Sequence, residues 1–102
     1  MAILDKYSSD IHKLCKNHKV KSLYAFGSVL TEHFALTSDI DLIVDFDNMD
    51  VAKYADNYFD FKFSLENIFQ RPVDLLEEKA IKNPFFKKAI SQKRQLVYGH
   101  WD

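Results

Sequence analysis

Asp39 and Asp41 stand two residues apart at the head of the alternating segment Ile40-Asp41-Leu42-Ile43-Val44-Asp45-Phe46. On a strand, residues two apart point to the same side, so both carboxylates would present oxygens to one hard cation. Magnesium suits such a pair best, because it keeps several waters and is commonly held by one or two carboxylates plus substrate phosphates. The pair alone says little, since the chain has eleven aspartates and Asp45-x-Asp47 repeats the spacing. Its context says more. The apolar run Leu23-Tyr24-Ala25-Phe26 stops at Gly27-Ser28, and ten residues separate Ser28 from Asp39. Gly27 would let the backbone approach phosphates closely, and Ser28, at a helix start, would offer a hydroxyl and an amide to a phosphate oxygen. A third carboxylate, Asp74, lies in Val73-Asp74-Leu75-Leu76. One inward acid on an apolar strand needs a role to offset its burial cost; it could bind a second metal or accept the proton of an attacking hydroxyl.

These residues need elements to hold them. Leu4, Tyr7, Ile11, Leu14, Cys15 and His18 recur at helical spacing and predict a helix over Ile3 to Asn17. Val20 to Phe26 reads as a short strand, Val29 to Thr37 as a short helix followed by a loop, and Ile40 to Phe46 as a second strand with one apolar and one acidic face. On that acidic face Asp45 and Asp47 are expected to be solvated. The stripe Val51, Tyr54, Ala55, Tyr58, Leu65, Ile68, Phe69 predicts the longest helix, with Asn48 or Asp50 as N-cap and a break at Arg71-Pro72. A strand follows over Val73 to Leu76. Asn83-Pro84 then opens a helix ending near Ser91, and Gln95 to Tyr98 forms a last strand. The order is that of one α/β domain spanning residues 1–102: a small mixed β-sheet flanked by helices.

Composition bounds the rest. Hydrophobic residues make up 47% and charged ones 28%, ordinary for a soluble globular chain, with fifteen aromatics and two glycines. The net charge of −1 supplies no global positive field, so nucleic acid is not an expected partner. Cys15 is the single cysteine, which excludes an internal disulfide and a cysteine-based zinc site. No apolar run is long enough for a membrane span or a signal core, which points to a cytoplasmic protein. His12, His18, His33 and His100 share no metal-ligand spacing. Tyr58, Phe59, Phe61 and Phe63 exceed what one helix face can bury; core packing is the favoured reading of the cluster, and the alternative is aromatic surface left for a partner or for a second copy in a homo-oligomer.

The segment FGSVLTEHFALTSDIDLIVDF resembles the signature of the nucleotidyltransferase superfamily related to DNA polymerase beta, in which Gly-Ser is followed after ten residues by Asp-x-Asp. RPVDLL is similar to that family's third-carboxylate strand, and the likeness is closest to the stand-alone minimal nucleotidyltransferases that are antitoxin partners of HEPN-domain toxins. The resemblance implies a polymerase beta-like nucleotidyltransferase fold. It implies that Gly27 and Ser28 hold triphosphate oxygens, that Asp39 and Asp41 bind one or two Mg2+, and that Asp74 completes the acidic, metal-binding and catalytic set. It further implies transfer of a nucleoside monophosphate, often AMP from ATP, to a hydroxyl, here one on a HEPN-type toxin, with pyrophosphate leaving. The chain departs from the pattern after Gly27-Ser28. Many members carry a basic residue and a glycine there, whereas this sequence reads Val29-Leu30-Thr31-Glu32-His33. A rival reading is therefore a catalytically weak or inactive module that neutralises a partner by contact. Transfer to a small molecule or an RNA end would use the same acids, but the lack of a second domain and of a basic patch weighs against it.

Overall fold

A computed structural model describes residues 2–27 and 39–99. Ser28 and the helix expected over Val29 to Thr37 lie outside the described residues, as do His33 and His100. The elements in chain order are α1 (Ala2–Lys6), α2 (Ser8–Asn17), β1 (Val20–Phe26), β2 (Ile40–Phe46), α3 (Val51–Phe69), β3 (Val73–Glu77), a 3-10 turn (Glu78–Ala80), α4 (Pro84–Lys93) and β4 (Gln95–Tyr98).

The sheet runs in the order β3-β2-β1-β4, with β2 and β3 parallel and the other two pairs antiparallel. The mixed α/β architecture expected from the sequence is the one observed. Parallel neighbours cannot be joined by a hairpin. The nineteen residues of α3 supply the crossover between β2 and β3, burying Phe61, Leu65 and Phe69 against the sheet. The helix stops at Gln70, which turns into the left-handed region at φ 56° ahead of Arg71-Pro72. Glu66 then receives the Val73 amide at 2.9 Å, and the Ile40 amide donates to the Pro72 carbonyl at 3.1 Å, which sets the start of β3 beside the start of β2.

Both faces of the sheet are covered, unequally. Ile40, Leu42, Val44 and Phe46 of β2 join Val73 and Leu75 of β3 in the main core, together with Ile11 and Cys15 from α2 and the three α3 residues. Burial pushes the Cys15 thiol up to about 12, so it packs as a small apolar group. On the opposite face Tyr24, Ile43 and Ile90 of α4 form a second, smaller cluster. The acidic face expected for β2 is therefore interrupted by a buried isoleucine under α4.

Two boundaries differ from the sequence reading. The first helix is broken at Tyr7, whose ring packs edge-on against Phe69 at 5.9 Å while Leu4 remains in the core. Such a detour is set by tertiary packing and leaves the helical spacing intact. The helix opened by Asn83-Pro84 runs on to Lys93; the Asn83 side chain caps it by accepting from the Phe85 and Phe86 amides at 2.9 and 3.2 Å. Asp50 occupies the N-cap of α3 with no side-chain hydrogen bond. Of the aromatic cluster on α3, Phe61 is fully buried, whereas Phe59 and Phe63 stay about half exposed.

Phe61 touches Phe46 and His18 through ring contacts at 5.8 and 5.5 Å, bridging the crossover helix to β2 and to the end of α2. Truncation by Phe61→Ala removes that bridge and leaves a cavity. Denaturant unfolding should show a loss of about 3–5 kcal/mol, enough to unfold much of a domain this small.

Candidate active site

The parallel register pairs Ile40 with Val73 and Asp41 with Asp74. Ile40 and Val73 point into the main core, so Asp41 and Asp74 emerge together on the opposite face. The antiparallel register sets Phe26 beside Asp41 on the other side. The sequence alternation thus produces one cross-strand row, Phe26-Asp41-Asp74, at the starts of β2 and β3 and the end of β1. Asp39 lies just before β2, exposed and near enough for its charge to act on Asp41.

Gly27 completes this end of the sheet. Its φ is +76°, and a Cβ placed there would lie 2.5 Å from the Asp41 Oδ2 atom. Only glycine both accepts that backbone and leaves room for the carboxylate beneath it. Strand β1 therefore ends in a cradle whose floor is Asp41.

Half-buried Asp41 has its carboxyl held above its ordinary value, first by desolvation and then by the charges of Asp74 and Asp39. Asp74, expected to be an inward acid, is exposed, as is Asp39, because the face it emerges on is open at that point; the half-buried Asp41 carboxylate, facing both charges, gains by receiving a cation. Among the described residues no three His, Cys, Asp or Glu side chains close into a ready-made metal cage. An open shell, with two carboxylates and the remainder from phosphate oxygens and water, is the arrangement magnesium takes. The donor set fits a hard cation and offers nothing to a soft one.

Other acids and histidines serve elsewhere. Asp45, expected in solvent, is largely buried and pairs with Lys79 at 3.5 Å, in the wall of a cavity of about 120 Å3 at the far end of β2. Asp47, at the same end of β2, is exposed as expected. His18 donates from one ring nitrogen to the Leu14 carbonyl and meets Asp60 with the other at 2.5 Å, tying α2 to α3. His12 reaches the Val97 carbonyl at 3.2 Å. Tyr58, expected from the sequence in the core or at a partner surface, also lies near the acids. Its hydroxyl donates to the Leu75 carbonyl, and its own ionisation is held back by burial and by the charges of Glu77 and Asp74, which places it on the α3 side of the acidic strand. No spacing in the sequence signals that contact.

Residues 11–97 match the family model described as the nucleotidyltransferase domain. The chain belongs to the nucleotidyltransferase domain family. The enzyme class expected from its sequence is the class of that family. Two relatives from Methanocaldococcus jannaschii, both provisionally named protein adenylyltransferases, are 34% and 36% identical; the matches cover 91% and 83% of this chain and 98% and 82% of theirs. Among solved structures, a provisionally named minimal nucleotidyltransferase superposes with a TM-score of 0.75 at 23% identity, covering 90% of each chain. A toxin-antitoxin structure with AMP-PNP gives 0.69 at 21% identity, covering 91% of this chain and 73% of that one. A tri-AMPylated Shewanella oneidensis HEPN toxin in complex with its MNT antitoxin gives 0.63 at 19% identity, covering 95% and 73%. At these identities the superpositions establish the fold of this nucleotidyltransferase. No helix among its described residues is long and apolar enough to cross a membrane.

Two outcomes follow from the crowded carboxylates. A raised folded-state value for Asp41 means that its contribution to stability is full below the ordinary carboxylate range and is lost as pH rises through the folded value. Asp41→Asn removes this cost and should raise the melting temperature at neutral pH, without metal, by on the order of a few °C. Gly27→Ala should act oppositely, because its Cβ displaces the Asp41 carboxylate and strains the backbone; differential scanning fluorimetry should show a loss of about 1–3 kcal/mol.

Proposed function

We propose that this nucleotidyltransferase moves AMP from ATP, with magnesium, to a tyrosine hydroxyl of a HEPN-type partner protein, and that it acts as the antitoxin of that pair. The observation that carries the reading is the Phe26-Asp41-Asp74 row beneath Gly27, a crowded acidic site at the end of a glycine-terminated strand. The provisional names of the archaeal relatives support adenylyl transfer to protein, and the AMP-PNP and AMPylated-toxin complexes each contain a chain with this fold.

In this reading Asp39 and Asp41 hold the cation, and Gly27 and Ser28 receive the triphosphate. Magnesium held by Asp39 and Asp41 would supply charge neutralisation at the phosphates. Asp74 takes the proton of the acceptor hydroxyl as its oxygen forms the new bond to the α-phosphorus. The bond from the α-phosphorus to the bridging oxygen breaks, and pyrophosphate leaves with that electron pair. The acceptor becomes an AMP diester, gaining charge and bulk where a toxin would work. The chain, as one domain of residues 1–102, works in the cytoplasm in this account.

The test is transfer of label from α-labelled ATP onto lysate proteins or a co-purifying partner. The parent should label a discrete acceptor in the presence of magnesium. Asp39→Asn and Asp41→Asn should each reduce the rate by about 10²-fold or more, the scale on which loss of a charge-stabilising group acts. Partner binding with no labelling by any of the four nucleoside triphosphates would favour a contact-only antitoxin instead.

A further inference from the structure

The near-neutral total charge hides a segregation. Residues 79–94 contain Lys79, Lys82, Lys87, Lys88, Lys93 and Arg94 and not one acid. Of the chain's fourteen Lys and Arg, eight remain elsewhere against all fifteen acids, so one short segment carries +6 and the rest −7. The basic patch that whole-chain charge fails to reveal is therefore present, and it corrects the expectation that none exists.

Its placement gives it meaning. Ile90 anchors α4 on Tyr24 and Ile43, and Phe26 and Asp41 lie two residues along the same strands on the same face. Rows on one face of a strand are separated by about 6–7 Å. The basic helix thus borders the acidic row. Two of the cations are engaged internally: Lys79 pairs with Asp45, while Arg94 bonds Glu78 at 2.6 Å and lies over the Tyr24 ring at 3.9 Å. Among the described residues Lys82, Lys87, Lys88 and Lys93 have no acidic partner and all are exposed. Ile90 is the one buried residue of α4. Phe85, 84% exposed, projects from the outward side with Lys88, and Phe86 is 43% exposed. A phenylalanine in solvent with lysines three residues to either side is an apolar anchor flanked by cations.

We infer that α4, through Lys82, Phe85 and Lys88, is the docking surface for the acceptor protein, and that the acceptor presents an acidic surface around its target hydroxyl. This rests on the adenylyl-transfer reading above. An acidic acceptor would be repelled by Asp39, Asp41 and Asp74 unless cations lay on the same face, and α4, anchored there by Ile90 one row from Asp41, supplies them. A long nucleic acid fits less well. One ten-residue helix spans about 15 Å, and any strand running past it meets the −7 of the remaining surface. A compact acidic patch meets only the helix.

The test separates docking from chemistry. Fluorescein-labelled poly(Glu,Tyr), an acidic copolymer bearing tyrosine hydroxyls, is titrated with the protein in the absence of ATP and magnesium and followed by anisotropy. The parent should bind it, with an affinity that falls as salt is added. Lys82→Glu/Lys88→Glu should weaken binding at least tenfold and Phe85→Ser severalfold, with unchanged melting temperatures because these side chains are exposed. Unchanged affinity in the charge-reversed variant would overturn the inference. So would binding of single-stranded oligo(U) tighter than poly(Glu,Tyr) and lost in the same variant, which would give the patch to nucleic acid. Transfer of label from α-labelled ATP to the copolymer is read separately. Patch-dependent binding without transfer sustains the docking surface, whereas absence of label from the copolymer, from every lysate protein and from a co-purifying partner sinks the adenylyl-transfer reading.

Discussion

The rest of the structure turns on one electrostatic constraint, a half-buried carboxylate held beside two others. Asp41 sits under Gly27, next to Asp74 and within reach of Asp39, and pays for that position by retaining its proton more strongly than an ordinary aspartate. Nothing in apolar packing asks for this arrangement. Asp74 comes alongside Asp41 only because β3 runs parallel to β2, and a parallel neighbour requires a crossover. Helix α3 is that crossover, so the helix that packs Phe61, Leu65 and Phe69 into the main core also permits the pairing that makes the acidic row.

The two faces of the sheet divide the work. The face packed on α1, α2 and α3 is apolar and continuous, and it carries the stability. The other holds one small cluster under α4, with the acidic row at one end and the Asp45–Lys79 pair at the other. Among the described residues, the helix that packs on this face is the cationic one. The sequence after Gly27-Ser28 carries no lysine or arginine before Asp39, and the inferred docking surface would draw its positive charge from α4 instead.

Much of this was legible in the residues. Period-two alternation placed Asp41 on the opposite side of β2 from Ile40 and Leu42, and Gly27 at a strand end marked the close approach, because both signals are local. The Asn83 cap was readable for the same reason. Burial of Ile43 and Asp45 was not, since it depends on α4 folding back from forty residues downstream and on Lys79 arriving after β3. The break at Tyr7 was hidden because the helical spacing continues through it while the contact with Phe69 is tertiary. The charge segregation was visible as letters but had no consequence until Ile90 fixed where α4 lies.

The central claim is that the crowded acids are a cation and triphosphate site, and differential scanning fluorimetry with magnesium and α,β-methylene-ATP, which cannot be cleaved at the transferred phosphate, tests it most directly. The account predicts that the pair together raise the melting temperature of the parent, with little effect from either alone and none on Asp41→Asn. An equal rise in Asp41→Asn, or no rise in the parent at millimolar concentrations of both, would contradict it.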